Sequence, residues 1–162
     1  MKKIFALAAF LLLTVCTFAQ DGKSIYMKYS DEPGVSAVYI SPAMFRMIGK
    51  LPDMSVGSDS MNITPIVKSL RGMYLISTEN RAVANALKGD VKSFMNKGKY
   101  ELLLEAKEDG EVVRMYTMQK GEFVTNFVLM AAEDSECTFI CLDGNIYMKD
   151  LERLLGESGI ID

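Results

Sequence analysis

The 162-residue chain reads as α+β: a largely antiparallel sheet with a C-terminal β-meander, and helices packed on one face. Three observations predict it. Helix-like and strand-like segments alternate as far as residue 99. From Tyr100 the apolar period falls to two, over "YELLLEAK", "EVVRMYTMQ", "EFVTNFVLMA" and "CTFICL". The connections between these runs, Glu108-Asp109-Gly110, Lys120-Gly121 and Glu133-Asp134-Ser135, are short and of hairpin type.

The first nineteen residues stand outside the fold. Lys2 and Lys3 form a positive start, and Ile4 to Val15 is an apolar run of about a dozen residues, short of the roughly 20 that a spanning helix needs. Thr17-Phe18-Ala19 places small residues at −3 and −1, so cleavage is expected between Ala19 and Gln20. Lipid attachment at Cys16 is the alternative, with Val15 in place of the small residue that such processing prefers. On either route the protein is exported. Residues 20–162 then form a single domain, large enough to bury a core without a metal or disulfide staple.

Along that domain, Ser24 to Gly34 predicts a short helix capped by Ser24 and ended by Pro33-Gly34. "VSAVYI" is a strand. "SPAMFRMIGK" is a helix with Ser41 as N-cap, Pro42 in the first turn and Gly49 as its stop; Met44, Phe45, Met47 and Ile48 make its apolar face. Leu51 to Asn62 lacks any period and is expected as a loop. "ITPIVKSLRG" holds two helical turns, and "MYLIS" is a strand. A long helix is expected from Glu79 to about Lys97, with Val83, Leu87, Val91, Phe94 and Met95 on one stripe and Gly89 interrupting it. After the meander, Asp143-Gly144 predicts a tight turn into "NIYM", and "KDLERLLGES" a closing helix.

Composition narrows the chemistry. There is no histidine, so triads built on an imidazole base are excluded, and catalytic zinc loses its usual ligand. The net charge of −3 becomes −5 once Lys2 and Lys3 leave, with signs interspersed; nothing predicts a nucleic-acid or anionic-membrane surface. Membrane contact is expected only through the signal or a lipid anchor. No cofactor and no metal is implied. No phosphate loop, CxxC pair or nucleophile elbow occurs.

Cys137 and Cys141 are four residues apart on a strand, hence on one face and about 13 Å from each other. A disulfide needs roughly 4.4–6.8 Å, so the pair cannot close on itself. Buried free thiols beside Phe139 are expected, with a bridge to another strand or chain as the alternative. Glu101 and Glu105 have the same spacing, too wide for a glycosidase pair, and read as a solvated face. Met44 and Met47, at i,i+3, read as core rather than copper ligands.

"GVSAVYISPAMFRMI", "LISTEN", "YELLLEAKEDGEVVRMY" and "FICLDGNIYMKDLERL", in this order, resemble the small exported proteins of Bacteroidetes grouped as domain of unknown function 4252. The resemblance covers nearly all of the mature chain and implies no reaction and no catalytic residues. It implies a periplasmic or outer-membrane-associated protein, in some members a lipoprotein, which bears on Cys16. It also implies O-glycosylation at Asp-Ser-Met, here Asp59-Ser60-Met61, and so at Ser60.

The expected function is a non-enzymatic binding or interaction module, meeting an unknown protein or a small apolar ligand. An envelope-stress sensor or regulator, and an enzyme working with carboxylates without histidine, are the alternatives.

Overall fold

The computed structural model describes residues 22–50, 55–56 and 61–157, with backbone alone for residues 55, 56, 61 and 154–157. The helices are α1 (Gly22–Tyr29), α2 (Pro42–Ile48), α3 (Thr64–Ser69), α4 (Arg81–Lys97) and α5 (Met148–Glu157). The strands are β1 (Val35–Ile40), β2 (Ser55–Val56), β3 (Met61–Asn62), β4 (Leu70–Thr78), β5 (Glu101–Glu108), β6 (Glu111–Lys120), β7 (Phe123–Ala132) and β8 (Cys137–Tyr147). Six of them form one antiparallel sheet in the order β1-β4-β8-β7-β6-β5. The meander β5 to β8 is the one that the period of two predicts, and the fold is α+β.

Local chemistry sets the boundaries. Asp109 (φ 47°) and Gly110 (φ 95°) are both left-handed, as a two-residue I′ hairpin between β5 and β6 demands. Asn80 caps α4: its Oδ1 accepts from the N–H of Ala82 at 3.0 Å and of Val83 at 3.3 Å. Ser41 Oγ accepts from Met44 N at 3.3 Å, with Pro42 in the first turn of α2 and Gly49 at its end.

Alternation across the ladders gives the sheet two unlike faces. On one, Ala37, Ile76, Phe139 and Met130 stand in register across β1, β4, β8 and β7. Cys141, Val128 and Tyr74 fill the next row. Onto this face α4 lays Ala84, Leu87, Val91, Phe94 and Met95, and α1 adds Ile25 and Tyr29. On the other face Val38, Leu75, Ile140, Leu129, Met115 and Leu104 form one unbroken row through all six strands. Beside it runs a row of small residues, Ser36, Ser77, Thr138, Ala131, Val113 and Ala106. Neither row carries a charge, and no member of either is buried. At one end of the sheet α2 meets β4 and α3, while α3 and α5 meet β8. Phe45, Val124 and Ile146 are buried apart from the main core.

Several elements differ from the sequence-based expectation. α1 starts at Gly22, so Ser24 lies inside it rather than capping it. In α2 only Phe45 is buried, while Met44 and Met47 are exposed, because a seven-residue helix resting on β4 and α3 turns one narrow side inward. Part of the expected loop pairs instead: Ser55 with Asn62 and Val56 with Met61, as a separate two-stranded ladder. Asp143-Gly144 does not turn, and β8 runs through it to Tyr147. There Gly72 pairs with Asp143 and Leu70 with Gly144, and a Cβ on Gly144 would lie 2.7 Å from the Ser69 carbonyl oxygen. That glycine admits a close backbone neighbour rather than a turn.

Candidate functional site

α4 packs on β4, β8 and β7, and β6 and β5 run out beyond it. The space left between helix and outer strands is a cleft of about 540 Å³. Its floor is apolar and aromatic: Val112, Tyr116, Met130 and Ala132. One wall is the flank of α4, where Lys88, Lys92 and Asn96 recur at i, i+4 and i+8, with Gly89 between them. The opposite rim is Leu102 and Glu105 on β5, and Arg114 stands on β6 between Val112 and Tyr116, opposite Met130 and beside Glu105.

A bulge builds that rim. Leu102 pairs with Tyr116 and Leu104 with Met115, so Leu103 is an extra residue in β5. Beyond it the alternation is reversed. Leu102 and Glu105 share the cleft side, and Glu101, paired with Thr117, stands on the other. The two glutamates that regular alternation places on one face are therefore parted. Leu102 is left 53% exposed at the cleft mouth.

The charges of the cleft are largely committed. Glu105 accepts from Arg114 Nε at 2.6 Å and pairs with Lys107 Nζ at 2.7 Å. The Lys107 and Arg114 hydrogen bonds hold its carboxyl below the ordinary 4.5. Lys88 Nζ donates to the backbone carbonyls of Glu133 and Asp134, tying α4 to the β7–β8 connection. Lys92 is exposed and makes no ion pair among the described residues. A carboxylate already held by two cations is a poor proton acceptor at neutral pH. The arrangement is suited to holding a ligand rather than to moving a proton.

Of the residues singled out in the sequence, Cys137 and Cys141 form no disulfide and are 1% and 0% exposed, on the core face with Phe139. Burial pushes the Cys137 thiol up to about 11, against a small opposing pull from Lys88. Cys141 Sγ lies 3.5 Å from Asp143 Oδ1. Neither cysteine lines the cleft. Cys16, Ala19, Gln20 and Ser60 lie outside the described residues. Among the described residues no three His, Cys, Asp or Glu side chains are grouped to hold a metal, and no helix is long and apolar enough to cross a membrane.

The cleft itself was not visible in the sequence. Two signals for it were: Gly89 interrupting a good helical pattern, and three leucines in a row breaking the period of β5. The helix runs through Gly89 without a break.

Residues 29–154 match the family model for domain of unknown function DUF4252, and the chain belongs to that family. No curated protein matches it. Among solved structures, a protein of unknown function from Pseudomonas aeruginosa, PA94, is similar at a TM-score of 0.35 and 8% identity, over 80% of this chain and 83% of that one. So remote a likeness carries no weight on function.

Proposed function

We propose that this protein is a non-catalytic binding module of the cell envelope, exported by removal of residues 1–19, that takes a small apolar or amphipathic ligand in the cleft between α4 and the β5–β6 hairpin. One observation carries the reading. The cleft has the size and the apolar floor of a ligand site, while its carboxylate Glu105 is locked between Lys107 and Arg114 rather than poised to react. Native mass spectrometry of protein purified from its own host is expected to show a retained small molecule, released by mild organic extraction. Protein that emerges empty, and that no fraction of the host's lipid extract stabilises against heat, would sink the reading. The same spectra test Ser60: glycan mass absent from recombinant protein is expected, and equal masses would remove that site.

The uncharged row through Val38, Leu75, Ile140 and Leu129 favours a second reading, a protein partner on the open sheet face. A crosslinker placed there by cysteine substitution of Val38 should then capture one defined partner in envelope preparations; a smear of unrelated proteins would count against it.

A further inference from the structure

We infer that the cleft ligand is a single-chain amphipathic anion, an acyl or alkyl chain bearing a carboxylate, with its tail on the floor and its head between Lys92 and Arg114. The inference rests on the binding reading above and narrows it. Val112, Met130, Ala132 and the ring of Tyr116 suit a hydrocarbon chain, and the one charge set among them is Arg114, which stands on β6 between Val112 and Tyr116 and opposite Met130. Leu102, half exposed at the mouth, extends the apolar track outward. The walls supply the sign. At the rim Glu105 is matched by two cations, Arg114 and Lys107, which leaves a local excess of one positive charge. Arg114 meets Glu105 through Nε, so its two terminal nitrogens remain for a second carboxylate in the forked geometry that guanidinium favours. Across the cleft Lys92 adds an ammonium with no acidic partner among the described residues. The acidic residues that line the cleft elsewhere, Glu133 and Asp134, belong to the far end, where Lys88 holds their carbonyls. Cations are therefore in excess between Lys92 and Arg114, while the exposed Glu133 and Asp134 lie beside Lys88 at the other end of the cleft, in a protein whose overall charge is negative.

Gly89 points to the same place. Glycine disfavours the middle of a helix, yet a Cβ on Gly89 would meet nothing within 4 Å. No neighbour among the described residues requires the missing side chain. Gly89 lines the cleft wall one turn from Lys92, and the space it leaves is space in the cleft. The helix accepts a weaker residue at the point where a ligand chain would lie against it.

The test is displacement of a fluorescent polyene fatty acid from the mature chain, below micellar concentrations, by three twelve-carbon probes: laurate, dodecanol and dodecyltrimethylammonium. Laurate is expected to displace best, with dodecanol about tenfold weaker and the cation weaker still. Lys92→Gln and Arg114→Gln should each weaken laurate several-fold and leave dodecanol unchanged. Gly89→Leu should weaken laurate and dodecanol alike while raising the melting temperature, which separates lost binding from lost fold. Equal affinity for the three probes, with Gly89→Leu still blocking them, overturns the anionic head and leaves the cleft reading standing. Binding that Gly89→Leu does not touch overturns both.

Discussion

Asp90 fastens α1 to α4. Its Oδ2 accepts from Lys28 Nζ at 2.5 Å and from the Tyr29 hydroxyl at 2.6 Å. Burial alone would raise the carboxyl, but the hydrogen bonds from Lys28 and Tyr29, with the charges of Lys28 and Lys97, hold it below the ordinary 3.8. Tyr29 responds in the opposite sense: burial first, then the Asp90 contact, pushes its hydroxyl well above the usual range. A depressed carboxyl stabilises the fold above its unfolded value and loses that contribution as the pH falls through its folded one. Stability should therefore decline below about pH 4, and part of the decline should vanish in Asp90→Asn. At pH 7 that variant should lose only about 1 kcal/mol, because Lys28 and Asp90 are both well exposed to solvent. Urea unfolding at pH 7 and pH 3 checks both halves of this statement. Cys141 is constrained by size rather than by chemistry. A Cβ on Gly22 would lie 2.3 Å from its Sγ, so α1 reaches the sheet only because both residues are small. Gly22→Ala should cost about 1–3 kcal/mol through overpacking. Cys137, with its raised thiol, and Cys141, fully buried, should label with maleimide only as fast as the protein opens; two thiols modified within minutes in the folded state would contradict the structure.

β8 shows what a single strand decides. Phe139 points into the core at 0% exposure, and Ile140, one residue on, faces the open side. Phe139→Ala should cost about 3–5 kcal/mol, whereas Ile140→Thr should cost less than about 1 kcal/mol, both read from denaturant midpoints. A reversed order would mean that the helices lie on the other face. That assignment was legible in the sequence, since "CTFICL" alternates and α4 carries one apolar stripe. β1, α2 and the β5–β6 turn were legible too, because each is written in local chemistry: β-branched residues, Ser41-Pro42, Asp109-Gly110. β8 beyond Leu142 was not, because Asp143-Gly144 has the composition of a turn. What keeps it extended is tertiary: the start of β4 pairs beside it and uses the missing Cβ. The bulge at Leu103 was hidden for a related reason. Three leucines in succession satisfy a strand of either register, and only the partner strand β6 selects one. The hairpin offers its own check. Gly110→Val, at φ 95°, should lower stability by about 1–2 kcal/mol and fray β5, seen as faster amide exchange there than in β7.

At the scale of the whole molecule, the helices are distributed unevenly over a six-stranded sheet. One long helix cannot cover six strands, which is why β5 and β6 are left to form a cleft, and why no single segment of sequence announces that site. Lys92, Arg114 and Leu102 come from three elements and meet only because α4 stops short of the outer strands. The opposite face follows from the same economy of helices. Its apolar row crosses all six strands, about 24 Å from the first to the last, and Val38 at its end is 44% exposed. Nothing charged interrupts it, although an inward-pointing lysine is the common means of keeping such a face apart from others. A half-buried, uncharged row of this kind should bind 8-anilinonaphthalene-1-sulfonate in the native state, without any of the loosening that such binding usually reports. Leu129→Lys should remove most of that signal while moving the melting temperature by only a few degrees, because a lysine there reaches solvent directly. Val128→Lys, one residue away and pointing into the core, should not fold. If Leu129→Lys is as damaging as Val128→Lys, this face is packed in solution, and both the open sheet and the protein partner proposed for it must be given up.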